Sequence, residues 1–165
     1  MNKKILVFVF LSLLLVGLGC ASQPLWRAEP NLQQASNEYY AATISPIYIF
    51  NGYKGFLLYV HNKSPDDIDI DWENTFYIYN GKKEGGFLFE GMRSGDKIKT
   101  PSIISGTMFS KEIFPKKLAE FSTVAMSTIY NPMNPGENGV RLSVKVNGKE
   151  VTETLTMNIS QKSAR

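Results

Sequence analysis

The chain of 165 residues contains one cysteine, Cys20, and one histidine, His61. A single thiol excludes an intramolecular disulfide framework and a Cys-based zinc cluster. A single imidazole removes most His-dependent metal and triad arrangements. No G-x-S-x-G stretch occurs, so the strand-to-helix turn that presents a hydrolase serine has no basis here, and no glycine-rich phosphate loop is present. Helical periodicity is scarce too: residues 115–120 offer one turn at most, and no internal repeat is found. What remains is 43% hydrophobic, 20% charged and 12% aromatic, which excludes a disordered or collagen-like chain and suits one globular domain.

The N-terminus has its own character. Met1, Asn2, Lys3 and Lys4 form a short cationic head, and residues 5–19, ILVFVFLSLLLVGLG, carry no charge. A spanning helix needs about 20 apolar residues; this run is shorter and has the length and flanks of a signal-peptide core. It ends in Gly17, Leu18, Gly19 and Cys20, followed by Ala21 and Ser22.

These residues resemble the end of a bacterial lipoprotein signal peptide, in which a small residue precedes an invariant cysteine and an aliphatic residue usually stands three before it. Gly19 and Cys20 match, and Gly17 occupies the place where Leu is commonest. The resemblance covers about the first 22 residues. It implies cleavage before Cys20, acylation of its sulfur and of the new amino terminus, and attachment to a membrane, with two or more acyl chains giving stable anchoring. Ala21 and Ser22, in place of an acidic residue, imply sorting to an outer membrane facing the periplasm. The alternatives are an uncleaved anchor, or cleavage after Ala21 and release as a secreted or periplasmic protein. Export changes the charge as well. Of 18 Lys and Arg, Lys3 and Lys4 leave with the leader, so 16 face 15 Asp and Glu and the net charge falls from +3 to +1. A nucleic-acid partner needs a clustered basic face, and none is expected.

Residues 20–37, with two Pro and mostly small or polar side chains, read as a flexible tether about 20–25 Å end to end. From residue 38 to 165 the apolar period is two. Phe56, Leu58 and Val60 alternate with Leu57, Tyr59 and His61; Ile68, Ile70 and Trp72 alternate with acidic residues; Phe76 and Ile78 alternate with Tyr77 and Tyr79. At Pro46 an interrupted strand or an edge position is expected, and one strand over residues 121–130. Residues 139–160 carry the clearest pattern, two alternating runs around Asn147 and Gly148, the dipeptide that favours a type I′ hairpin turn. Seven to nine short strands with few helices predict an all-β domain, an antiparallel β-sandwich of immunoglobulin-like architecture, with a small closed β-barrel as the alternative.

Candidate sites are few. Asp67, Asp69 and Asp71 alternate on one strand face with repeats near 7 Å, too far apart to share one Ca²⁺ with Glu73, though two of them with loop oxygens suffice for a site. Their D-x-D-x-D spacing matches the start of an EF-hand loop, but Trp72 stands where that loop needs glycine. The other reading is a charged face that protects a strand edge. Tyr77 and Tyr79 are candidates for an exposed aromatic platform for sugar or peptide, or for ordinary cross-strand packing. Residues 131–139 form a candidate binding loop through Asn131, Met133 and Asn134. His61 lacks a nucleophile and orienting acid in any recognisable pattern. The expectation is a non-catalytic binding or assembly module, without cofactor, held to the cell envelope through lipidated Cys20 and engaging an envelope protein. The rivals are an envelope enzyme that cleaves cell-wall glycan through an Asp/Glu pair and a Ca²⁺-stabilised adhesion module.

Overall fold

The computed structural model describes residues 25–162; the leader and Cys20 lie outside the described residues. Thirteen strands occur in chain order: β1 (Leu25–Glu29), β2 (Gln33–Ser36), β3 (Tyr40–Ile49), β4 (Gly52–Asn62), β5 (Ile68–Ile70), β6 (Phe76–Tyr79), β7 (Lys82–Gly85), β8 (Phe87–Leu88), β9 (Met108–Pro115), β10 (Ala119–Ser122), β11 (Ser127–Tyr130), β12 (Gly136–Val146) and β13 (Lys149–Lys162). One 3₁₀ turn spans Lys116–Leu118. One sheet runs β1-β13-β12-β6-β7, with β5 also paired to β12; a second runs β2-β3-β4-β9-β8; β10 and β11 form a hairpin apart from both. All pairings are antiparallel and neither sheet closes on itself, which makes the domain a β-sandwich and removes the barrel alternative. Among the described residues no helix is long and apolar enough to cross a membrane.

The core follows from the alternation. Ile44 on β3, Phe56, Leu58 and Val60 on β4, and Ile113 on β9 face Val140, Leu142 and Val144 on β12 and Leu155, Met157 and Ile159 on β13, all essentially buried. Each such side chain contributes about 1.5–3 kcal/mol of burial. Two glycines permit close approach of backbones: a Cβ on Gly139 would sit 2.4 Å from the Leu155 carbonyl oxygen, and one on Gly55 would sit 2.4 Å from that of Ile113. Buried Asn62, at the end of β4, pins the connection that follows. Its Nδ2 donates to the carbonyls of Asp66 and Ile103 at 2.8 Å each, and its Oδ1 accepts the Ser64 N–H at 2.8 Å.

Three expectations are corrected, and at Pro46 one of two alternatives holds. The stretch read as a tether is structured from Leu25 on: β1 pairs with β13 and β2 pairs with β3, so residues 25–37 belong to the domain rather than to a tether. At Pro46 the edge alternative holds and the strand is not interrupted: Pro46 lies within β3 opposite Phe56, beyond the last β2 pairing at Ile44, where among the described residues the other side of β3 has no partner that needs an N–H. Residues 121–130 are not one strand but the β10–β11 hairpin, turned at residues 123–126, with Met126 at φ +51°. Residues 136–139 belong to β12 and not to a loop, so the connection is only residues 131–135. The expected hairpin over residues 139–160 is present, with Val144 opposite Val151 and Asn147 and Gly148 both at positive φ.

Candidate functional site

The two ends of the sandwich differ in chemistry. β4 runs from Gly52 to Asn62, so the ends lie about 33 Å apart along it. At the Gly52 end, the β3–β4 turn packs beside β1 and the 131–135 connection: a Cβ on Gly52 would stand 3.3 Å from Pro132 and 3.4 Å from the Trp26 ring. The Met133 N–H donates to the Tyr53 carbonyl at 2.6 Å, and the Asn131 N–H to that of Leu118 at 2.8 Å. The same end holds an open cleft of about 550 Å³ between the β3–β4 turn and the β10–β11 hairpin, lined by Ile49, Lys54, Glu90, Arg93, Phe121 and Tyr130 among others. Phe114 and Tyr130 stack at 4.1 Å on its inner side, with Lys54 Nζ 4.9 Å from the Phe114 ring. Arg93 lies 5.0 Å over Phe121. Tyr130 donates to the Phe89 carbonyl at 3.1 Å, and burial raises its pKa.

A second cleft, also about 550 Å³, lies on the sandwich flank between Trp72, Phe87, Ile98 and Lys116. Trp72 meets Phe89 edge-on at 5.2 Å and donates its indole N–H to Thr100 Oγ1 at 3.1 Å. Glu73 and Asp96 also line this cleft. Both are exposed; Glu73 accepts from Lys97 at 3.1 Å and Asp96 from the Arg93 N–H at 2.7 Å. Neither cleft is legible in the sequence. Their only local signal was the clustering of Trp72, Phe87 and Phe89, because each cleft is assembled from segments far apart in the chain.

No protein family, no characterised protein and no solved structure matches this chain. The geometry must therefore be read without relatives.

The candidates from the sequence are placed as follows. Tyr77 is no exposed platform: it is 3% exposed, packs on Phe87, and donates its hydroxyl to Asn138 Oδ1. Burial raises its pKa. β6 pairs with β12 in unbroken register, and the face that packs on the core is that of Tyr77 and Tyr79 rather than that of Phe76 and Ile78; the extra residue opposite Tyr77 and Ile78 is Glu84 on β7. Tyr79 is half-buried and donates to the Pro135 carbonyl at 2.9 Å. Met133 is fully buried in the core, Asn131 is half-buried and Asn134 is exposed; a binding loop built on Met133 is therefore corrected to a core plug. His61 is exposed on β4, opposite Ala41 and Met108, whereas nearby Ser64 is buried and its Oγ accepts the Asp66 N–H.

The acidic run disperses. Only residues 68–70 are strand, and Asp67, Asp69 and Asp71 have separate roles. Asp67 accepts the Ser105 N–H at 3.3 Å, and Asp69 is exposed opposite Lys145 in the ladder. Asp71 is buried. It accepts the N–H groups of Glu73 and Asn74, the Asn74 amide at 3.0 Å and the Lys145 ammonium at 2.8 Å. The hydrogen bond from Lys145 holds the Asp71 pKa below its ordinary value, and Asp71 in turn raises that of Lys145. Among the described residues no three His, Cys, Asp or Glu side chains gather as a metal site would need.

Proposed function

We propose that this is a lipid-anchored protein of the bacterial cell envelope, a non-catalytic module that binds an envelope protein. The observation that carries the reading is Gly19 followed by Cys20 at the end of a fifteen-residue uncharged run behind a cationic head. Cys20 is the mature first residue on this reading, its acyl chains hold the protein to the membrane, and the sandwich faces the periplasm from the outer membrane.

The binding role is supported by an open strand edge. β8 meets β9 only at Phe114 and Pro115, so among the described residues 108–113 of β9 pair with β4 on one side and with no strand on the other. Such an edge suits addition of an extended segment from a partner. The non-catalytic role is supported by Glu73 and Asp96, the acidic residues on the flank cleft, which are exposed and already hydrogen-bonded to Lys97 and to the Arg93 N–H.

Replacement of Cys20 by alanine tests the anchor. Cys20→Ala is expected to abolish acyl labelling and to move the protein to the soluble fraction; retention in the membrane would overturn the reading. Photo-crosslinking from Ser110 on the open edge, in intact cells, is expected to capture one envelope protein that crosslinking from Lys82 on β7 does not. The adhesion-module rival predicts a lower melting midpoint after chelation of Ca²⁺. The dispersal of Asp67, Asp69 and Asp71 onto protein donors predicts an unchanged one.

A further inference from the structure

Resting on the lipid-anchored reading, we propose that the Gly52 end of the sandwich is a membrane-contact surface, with the turn of β3–β4 and the tip of the β10–β11 hairpin seated in the lipid interface. Three of the most exposed large apolar side chains of the domain stand on these two tips: Phe50 at 77%, Val124 at 96% and Met126 at 73%. They are neighbours in space, because Met126 and Ile49 line the same cleft. Exposed apolar groups concentrated at one end mark an interaction surface.

The place where the described chain begins selects the lipid surface as occupant. Leu25, itself 61% exposed, pairs with Lys162 at the end of β13 remote from the Asn147 and Gly148 turn. Next to it, Trp26 packs on Gly52, two residues from Phe50. β1 therefore starts at the end that bears the tips. From Cys20 to Leu25 is five residues, which reach at most about 18 Å. The domain is about 33 Å long along β4, so an anchor at Cys20 cannot lie beyond the far end. It must lie on the side of the tips.

The layering behind the tips fits the same occupant. Tyr48, which is exposed, and Tyr53 meet edge-on at 5.4 Å just behind Phe50, where amphipathic rings suit the headgroup level. Lys54 and Arg93 line the cleft between the tips, with Glu90 beside them. At the opposite end the apolar side chains Ile104 and Met108 are less exposed, at 61% each, and stand among polar pairs: Asn147 donates to Asp66 at 2.7 Å, and Asp67 accepts from Ser105.

The test uses the full-length acylated protein in vesicles of phosphatidylethanolamine and phosphatidylglycerol. With the Cys20 thiol acylated, a nitroxide is attached to Val124→Cys or, at the other end, to Ile104→Cys; both sites are exposed. The expected result is a several-fold lower accessibility of the Val124 label to a water-soluble relaxant than of the Ile104 label. Equal accessibility in a sample whose intact mass confirms acylation overturns the proposal and leaves the anchor reading standing. A mass without acyl groups overturns both. Protection of the Val124 label in cells but not in the vesicles also overturns the proposal, because a protein then covers the tips.

Discussion

Tyr77 and Asn138 show how a polar pair is kept inside a sandwich. The Tyr77 hydroxyl donates to Asn138 Oδ1, while Asn138 Nδ2 donates to the carbonyls of Asn134 and Gly136 at 2.9 Å each. Tyr77→Phe leaves a buried amide oxygen without its donor, which costs about 1–3 kcal/mol; a lower melting midpoint with unchanged membrane attachment is the expected outcome. If Tyr77 formed a ligand platform, attachment or partner crosslinking would change instead. The inward turn of Tyr77 was not legible in the sequence, because both faces of β6 carry large apolar or aromatic side chains and alternation alone does not say which face meets the core. The burial of Met133 was equally hidden, since two prolines and two asparagines around it read as loop chemistry. Asp71 gives a pH prediction. Its pKa is lowered from an ordinary 3.8 by the bond from Lys145, so the stability it contributes is present above that value and lost as pH falls through the lowered one. Lys145 is raised from 10.5, so its contribution holds below that value and is lost only in strong alkali. Thermal melts are therefore expected to be flat around neutrality and to fall below about pH 4. In Asp71→Asn the neutral plateau drops and the acid fall flattens; an acid limb identical to wild type would remove Asp71 as its source.

At the scale of strands, legibility followed burial. β12 and β13 bury alternate residues over long ladders and have a turn dipeptide between them, so their pattern is plain in the sequence. β1 and β2 are short edges. β1 buries Ala28 alone, and β2 buries no residue fully. Backbone pairing holds such strands, and backbone pairing leaves little trace in composition; hence their reading as tether. Glycines misled in the same way at the start of β12, where Gly139 is dictated by contact with Leu155 and not by a turn. The consequence for β1 is testable. Ala28 is 6% exposed and sits opposite Ile159. Ala28→Asp buries a charge without a partner and is expected to cost about 2 kcal/mol or more, releasing β1 from the sheet. Trypsin then cleaves after Arg27, a bond that the paired strand protects in the wild type. Resistance at Arg27 in the variant would show that β1 is held by more than its ladder.

For the whole molecule, the docking of β1 changes what the proposed anchor at Cys20 would do. An eighteen-residue tether would let the domain wander in any orientation, whereas five residues ahead of Leu25 would hold one end of the sandwich to the bilayer. On the proposed reading, the open edge of β9 stands along the side of the domain and runs away from the membrane from Ile113 toward Met108 in step with β4. Anchor, tips and edge would then lie on different surfaces, and a partner could add a strand without displacing lipid. The short connection would matter because it keeps the tips at high local concentration beside the bilayer. Insertion of a flexible Gly/Ser segment of about twenty residues after Ser22 extends the reach by about 25 Å. Because no packed residue is altered, the melting midpoint is expected to stay constant. Membrane retention is also expected to persist through Cys20, while the protection of a Val124→Cys label from aqueous relaxant falls several-fold. Protection that survives the insertion would mean that Phe50, Val124 and Met126 hold the interface by their own affinity, and that the tether contributes reach but not orientation.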